Sequence, residues 1–207
     1  RNTGTDASHF SPDDVCTRAQ AVTFLWRAAG CPQPKNRTMP FTDVPKSSYF
    51  YDAVLWAVEA GITKGTSDTK FSPDDLCTRA QIAVFLWRSE GSPLAEGRNP
   101  FADVAANAYY ADAVLWAVAE DITMGTSRTT FSSDDTCTRA QIVTFLWRCK
   151  NDRLTYGQAA KPLTDHISEH RTAQRTGIRP EAALFSFRYK KQINDILSCA
   201  AIPARQG

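Results

Sequence analysis

Several features that would mark a catalytic, nucleic-acid-binding or membrane-spanning chain are missing from this sequence of 207 residues. It has only three histidines, and no convincing Ser/His/Asp or Cys/His catalytic set can be assembled from them. No glycine-rich phosphate loop is present. The formal net charge is +2, so no overall field attracts nucleic acid or a lipid surface. No apolar run approaches the roughly 20 residues that a membrane span needs.

The six cysteines lack the spacing that metal sites and redox motifs require. No C-x-x-C pair occurs, which excludes the usual zinc and thioredoxin patterns. Their even number permits disulfides without showing any. The sequence also begins at Arg1 without an initiator methionine or an apolar targeting stretch, so we interpret it as a fragment or a processed form.

What the sequence does contain is an internal repeat. Residues 41–88 align on residues 101–148 without a gap, at a period of 60. Roughly two-thirds of the aligned positions are identical, far more than chance would give. A partial third copy, "GTDASHFSPDDVCTRAQAVTFLWR", precedes them. The predicted organisation is, in chain order, a partial repeat, two full repeats and a basic tail: 1–27, 40–89, 100–149 and 150–207.

Each full repeat predicts two helices joined by a loop. The first run, "YFYDAVLWAVEAGI" in repeat two, is apolar almost all round and must be buried on most sides. Because one such helix cannot bury itself, we expect the first helices of the repeats to pack together. Gly61, or Asp121 in repeat three, is expected just beyond the end of this helix.

The second run of each repeat, "CTRAQIAVFLWR" in repeat two, predicts a helix with a defined start. Thr78 is the expected N-cap, and Gln81 completes a capping box. The same arrangement recurs in all three copies. The predicted fold class is therefore all-α, built from tandem helix–loop–helix units.

These motifs carry a resemblance to a known family. The succession "F-x-D-V … W-A-V … G-I-T-x-G-T … F-S-P-D-D … T-R-A-Q" resembles the S-layer homology (SLH) repeat of bacterial surface proteins over about residues 4–149. That family opens its second helix with T-R-A-E, whereas Gln replaces Glu in all three copies here. Gln can still return the hydrogen bond that completes the capping box.

The resemblance implies a cell-wall anchor. Such repeats pack as a pseudo-threefold helical bundle, and their grooves bind secondary cell-wall polymers, peptidoglycan-linked polysaccharides that often carry anionic pyruvate-ketal sugars. The implied location is extracellular, on the bacterial cell surface, wall or S-layer, and the implied cargo is a domain upstream of Arg1. No enzyme activity, cofactor, metal, membrane span or nucleic acid is expected. By matching positions, the implied ligand-binding residues are Arg18, Arg79, Arg139, Asp43, Asp103, Gly65, Gly125, Trp56 and Trp116, with Gly4 as the partial-repeat equivalent of the loop glycines.

Elementary chemistry agrees with these roles. An arginine at the first position of a helix lies beside free N–H groups and a dipole that favour an anion. Its planar guanidinium can bind a carboxylate through two hydrogen bonds. Three copies would add weak contacts along a polymer, and a loop glycine would let a sugar approach the backbone.

Structural roles compete at the same positions. A solvated first-turn side chain is the alternative for each motif arginine. Trp56 and Trp116 lie on nearly all-apolar helices, which favours core packing over sugar stacking. Asp43 and Asp103 could equally cap a turn. The remaining tryptophans are expected to pack the bundle or its linkers, and the cysteines that precede the second helices are expected to be small buried hydrophobes: Trp26, Trp87, Trp147, Cys16, Cys77 and Cys137.

The basic tail, residues 150–207, has no repeat motif. Residues 181–200 predict one amphipathic helix, which could be a docking helix if the tail is neither a linker nor unstructured. "HISEH", from His166 to His170, matches the H-x-x-E-H pattern of inverted zinc proteases. The residues that follow it are too few for a protease fold.

Three hypotheses for function therefore differ in what they predict. A polymer-binding anchor predicts wall binding that weakens when Arg79 and Arg139 become alanine. A helical protein–protein module with the same fold predicts a protein partner and indifference to those arginines. A metal-dependent enzyme predicts zinc retention that is lost when His166 or His170 is replaced.

Overall fold

The computed structural model describes residues 9–156, and of residues 151–156 the backbone alone. This part of the chain is all-α. Within it, β-type pairing is limited to isolated bridges between single residues, and no strand is formed. Five helices follow one another along the chain: α1 Arg18–Ala28, α2 Tyr51–Glu59, α3 Arg79–Ser89, α4 Ala111–Ala119 and α5 Arg139–Tyr156.

The second helix of each repeat starts where the capping box predicted. In α3 the Thr78 hydroxyl accepts from the Gln81 backbone N–H at 3.3 Å, and the Gln81 side-chain oxygen accepts from the Thr78 N–H at 3.3 Å. The same reciprocal pair caps α1 and α5. Two of the otherwise unsatisfied N–H groups at each helix start are therefore paired.

The first helices end at the residues that the sequence predicted. Gly61 follows the C-cap of α2 with a φ of 70°, and Asp121 occupies the same place after α4 with a φ of 53°. A left-handed residue at this position closes the last helical turn. Asp accepts this conformation at a steric cost that Gly avoids.

The first helices pack mainly on second helices and not on each other. Helix α2 packs mainly against α1, and α4 packs mainly against α3. Each first helix therefore buries its apolar surface on the second helix of the preceding repeat. The prediction that the first helices pack directly together was therefore wrong, although Val54 of α2 and Trp116 of α4 belong to one core cluster.

The three second helices meet one another, and their entry segments form a closed ring. The N–H of Cys16 donates to the Cys137 carbonyl at 2.9 Å, that of Cys77 to Cys16 at 2.8 Å, and that of Cys137 to Cys77 at 2.9 Å. We call these three residues the cysteine ring. All three side chains are fully buried, as predicted for small hydrophobes. The ring fixes the cyclic order of the motifs, while pseudo-threefold symmetry of the whole bundle stays a prediction.

Three predictions fall outside the described residues. The loop glycine of the partial repeat, Gly4, precedes them. The predicted helix 181–200 and the "HISEH" segment follow them. Within residues 9–156, no helix is long and apolar enough to cross a membrane.

Candidate functional site

The three motif arginines are buried between repeats. Arg18, Arg79 and Arg139 expose only 3%, 4% and 4% of their surface, so the alternative of a solvated first-turn side chain was wrong. Each Nε donates to a phenylalanine carbonyl in the loop of another repeat. The pairs are Arg18 to Phe71 at 3.0 Å, Arg79 to Phe131 at 2.8 Å and Arg139 to Phe10 at 2.9 Å.

Two aromatic rings face each of these guanidinium groups. The Cζ of Arg79 lies 4.8 Å from the ring centroid of Phe131 and 5.5 Å from that of Phe145. Arg18 lies in the same way beside Phe71 and Phe85. Such cation–π contacts, when desolvated, contribute up to about 2 kcal/mol each. The arginines therefore connect a loop of one repeat to a helix of another.

Burial acts on the charge of these arginines. Desolvation lowers the pKa of both Arg18 and Arg79, and nearby groups such as Cys77 and Asp75 at Arg18 partly oppose it. The Nη2 atoms of Arg18 and Arg79 are buried and make no hydrogen bond within the part of the chain described. An Arg keeps its charge even here, so Arg18 and Arg79 each place a buried cation at the interface between two repeats.

Asp43 and Asp103 cap a turn, which was one of their two predicted roles. The carboxylate of Asp43 accepts from the N–H groups of Phe71 and Ser72 at 2.9 and 2.8 Å. Asp103 accepts from Phe131 and Ser132 at 2.8 and 2.7 Å. Each aspartate therefore fixes the loop carbonyl that receives an arginine from another repeat.

The loop glycines are required by the chain itself. Gly65 and Gly125 have φ angles of 82° and 79°. A Cβ on Gly65 would overlap the Phe41 ring and the Lys70 carbonyl oxygen, and a Cβ on Gly125 would overlap Phe101 and Thr130 in the same way. The space beside each glycine is filled by protein, which is a reason for glycine independent of any ligand.

The first-helix tryptophans differ in exposure. Trp116 is 5% exposed and belongs to the core, whereas Trp56 is partly buried against it. Both tryptophans therefore pack in or against the core, as their nearly all-apolar helices predicted. Trp26 and Trp87 pack against the linkers as expected, since their indole N–H groups donate to the carbonyls of Pro32 and Pro93 at 2.9 and 2.8 Å.

A groove between α1 and the approach to α2 brings together side chains that the sequence did not single out. Its volume is about 370 Å³. We call it the α1/α2 groove. It is lined by two cations, three aromatic rings, a hydroxyl and a carboxylate: Arg37, Lys46, Trp26, Tyr49, Tyr51, Ser48 and Asp52.

Tyr49 is the groove residue on which buried arginines act electrostatically. Tyr49 is 63% exposed and packs edge-on against Phe50, with ring centroids 5.0 Å apart. Burial raises the pKa of its hydroxyl, Cys16 raises it further, and Arg27 and Arg139 lower it in part. One motif arginine, Arg139, therefore acts electrostatically on a groove residue while lying below the surface.

Nothing in the repeat pattern marked this groove. Lys46, Ser48 and Tyr51 lie at positions where the two full repeats differ, and Arg37 lies in a linker. A search for repeated residues discards such positions. The available signal was the clustering of aromatic and basic residues on either side of Phe41, which becomes meaningful only once α2 is known to pack on α1.

Comparison with known proteins classifies two segments of the chain. The family model of the S-layer homology domain matches residues 40–83 and 100–143. These two segments are S-layer homology domains, and domains of this family are non-catalytic modules that bind cell-wall polymers and anchor proteins to the wall. The location they indicate is the extracellular cell surface.

Three relatives show the setting of such repeats. An endoglucanase of Bacillus sp. (strain KSM-635) is 31% identical over 170 residues, which are 77% of this chain and 18% of that protein. The surface-layer 125 kDa protein of Lysinibacillus sphaericus is 33% identical over 48% of this chain and 8% of its own length. A cell surface protein of Thermoanaerobacter kivui is 31% identical over 40% and 11%. The chain spans less than a fifth of each relative.

Proposed function

We propose that this chain holds a surface protein on the bacterial wall by binding an anionic, pyruvylated secondary cell-wall polysaccharide in the α1/α2 groove. The observation that carries this proposal is the pairing of Arg37 and Lys46 with three aromatic rings in one groove. Its cargo would be another domain of a longer surface protein, because the chain matches only a small share of its longer relatives.

The groove chemistry suits a charged sugar. A ketal-linked carboxylate would be bound by Arg37, whose planar fork can donate two hydrogen bonds, and by the ammonium of Lys46. Trp26, Tyr49 and Tyr51 offer rigid faces and edges for the apolar side of a sugar ring. Ser48 and Asp52 can pair with sugar hydroxyls.

The motif residues take a supporting part in this proposal. Arg139 and Arg18 contribute positive charge that acts on Tyr49 and Tyr109, respectively, and help to hold the repeats together. Arg79 has the same surroundings at the remaining interface. The aspartates, loop glycines and first-helix tryptophans shape the framework that presents the groove: Asp43, Asp103, Gly65, Gly125, Trp56 and Trp116.

Co-sedimentation with purified wall sacculi tests the proposal. The wild-type chain is expected to sediment with intact sacculi and to stay in solution after their secondary polymers are stripped. Arg37→Ala/Lys46→Ala is expected to lose binding by at least tenfold, because both groove cations are removed. Lys64→Ala/Arg128→Ala is the matched control, since it removes the same charge from exposed sites outside the groove.

The motif arginines are tested in the same assay with a check on folding. Arg79→Ala/Arg139→Ala is expected to lose binding together with thermal stability, because each side chain holds two repeats together. A folded wild-type chain that ignores intact sacculi would contradict the proposal and favour the protein–protein module. Equal binding to stripped and intact walls would also contradict it.

A further inference from the structure

The described residues contain two junctions of one kind, with α2 on α1 and α4 on α3. Their frameworks match closely. In both, a tryptophan indole donates to a linker proline, and an exposed tyrosine packs edge-on against the next ring with centroids 5.0 Å apart. Burial raises the pKa of Tyr49 and of its counterpart Tyr109, and a motif arginine partly lowers it in each case, Arg139 for Tyr49 and Arg18 for Tyr109. The two surfaces can therefore be compared position by position.

Four of the seven groove side chains have the same residue type at the second junction. Counting from the repeats, the counterparts of Trp26, Arg37, Tyr49 and Asp52 are Trp87, Arg98, Tyr109 and Asp112. The other three, Lys46, Ser48 and Tyr51, are all replaced by alanine, at positions 106, 108 and 111. The framework is shared, but the second junction lacks a cation, a hydroxyl and an aromatic ring.

The charged residues at each junction differ as well. Arg27 acts on Tyr49 at the first junction. Its counterpart Arg88 instead donates to the Ile62 carbonyl at 3.3 Å within its own repeat. An anion at the first junction meets two groove cations and one carboxylate, whereas at the second it would meet one of each. Electrostatic complementarity therefore favours the first junction.

We infer that, of these two junctions, only the α1/α2 groove binds the anionic polymer, and that Lys46 and Tyr51 are the residues that make the difference. This inference rests on the proposed function. The α3/α4 junction keeps the architecture of a binding groove and serves to build the bundle. Repeats of nearly equal sequence are therefore unequal in binding.

The two indole N–H groups allow each junction to be observed separately. In a ¹⁵N-labelled chain, the Trp26 and Trp87 indole signals are followed by NMR while solubilised secondary cell-wall polymer is added. Only the Trp26 signal is expected to shift in the wild type. A methyl hexoside bearing a 4,6-pyruvate ketal, compared with its carboxyl methyl ester, then tests whether the anion is needed.

Two reciprocal variants test the assigned residues. Lys46→Ala/Tyr51→Ala is expected to weaken the shift at Trp26 by at least tenfold in ligand concentration. Ala106→Lys/Ala108→Ser/Ala111→Tyr is expected to create a shift at Trp87. The same spectra show that each variant is folded.

The outcomes separate the inference from the function beneath it. Polymer-induced shifts at both indoles of the wild type, or unchanged binding by Lys46→Ala/Tyr51→Ala, would overturn the inference and leave wall anchoring intact. No shift at either indole, together with no sedimentation on intact sacculi, would overturn both.

Discussion

At the scale of single residues, a position can require glycine because of its positive φ, because there is no room for a Cβ, or for both reasons. Gly61 and Gly65 both have a left-handed φ, but only at Gly65 would a Cβ meet neighbouring atoms. The two positions therefore form a natural pair for measuring the cost of crowding alone.

Gly65→Ala is expected to reduce the free energy of unfolding by about 3 to 4 kcal/mol, because backbone strain adds to overlap with Phe41. Gly61→Ala carries only the backbone strain and is expected to cost about 1 to 2 kcal/mol. Urea unfolding followed by tryptophan fluorescence measures both. Equal losses at the two sites would show that the Phe41 ring moves aside readily.

The turn aspartates give the fold a dependence on acid. Desolvation is the largest single effect and raises the pKa of Asp43, but the N–H donors of Phe71 and Ser72, with smaller contributions, together outweigh it and hold the pKa below its ordinary value. The same balance, with Arg79 nearby, lowers the pKa of Asp103. A lowered folded-state pKa stabilises the fold above the ordinary aspartate value near 4 and loses that contribution as pH falls further.

Wild-type stability is therefore expected to fall as the pH drops below about 4. Asp43→Asn/Asp103→Asn should be less stable at pH 7, because each loses a charged acceptor, and its stability should change less in acid. Urea midpoints at pH 7 and pH 3 measure this difference. Asp68→Asn, in an exposed part of the loop, is the control that should keep the wild-type pH response.

At the scale of helices, the residues at the helix ends determine where each helix stops. The two first helices share a register but differ at the residue after the C-cap, where Gly61 is replaced by Asp121. Asp at a φ of 53° retains a steric cost in the folded state that Gly does not have. The C-terminal end of α4 is thus expected to be less stable than that of α2.

Asp121→Gly is expected to stabilise the chain by about 0.5 to 1 kcal/mol, because glycine adopts the left-handed conformation without a Cβ penalty. Ala119→Gly, inside the same helix, should destabilise it by about 1 kcal/mol. Thermal unfolding monitored by circular dichroism compares the two. A destabilised Asp121→Gly would mean that the aspartate side chain makes a contact worth more than the strain.

The sequence could predict these helix ends because caps depend on neighbours within four residues. Thr78 with Gln81 needs no knowledge of the rest of the chain. The packing of α2 depends instead on residues about 30 positions away in α1. The apolar pattern predicted that α2 is buried, but it did not identify the helix against which α2 packs. The groove formed by Arg37, Lys46 and Tyr51 depends on that packing, so the sequence pattern could not predict it. The burial of the motif arginines could not be predicted for the same reason.

At the scale of the whole molecule, the cysteine ring is the point where all three repeats meet. Burial raises the pKa of Cys16 to about 12 and that of Cys137 to about 11, and it raises the pKa of Cys77 as well. Because thiolates are the reactive species, these thiols are inert while the ring is closed. Their reactivity therefore reports on opening of the centre of the fold.

Iodoacetamide at pH 8 is expected to leave Cys16, Cys77 and Cys137 unmodified in the native chain and to alkylate them in 6 M guanidinium, a concentration on the order of that needed to unfold stable domains. As temperature approaches the unfolding midpoint, the three should become reactive together, as shown by peptide mass spectrometry. Early alkylation of one cysteine alone would show that the repeats open independently.

The Arg139 hydrogen bond to Phe10 joins residues 129 positions apart. During synthesis the segment around Phe10 leaves the ribosome long before its partner exists, so the central ring cannot close until the last repeat has emerged. Such distant pairing also slows folding, since the entropy cost of closing a long loop comes before the stabilising contact forms. The contact that completes the central ring is therefore among the last that the growing chain can make.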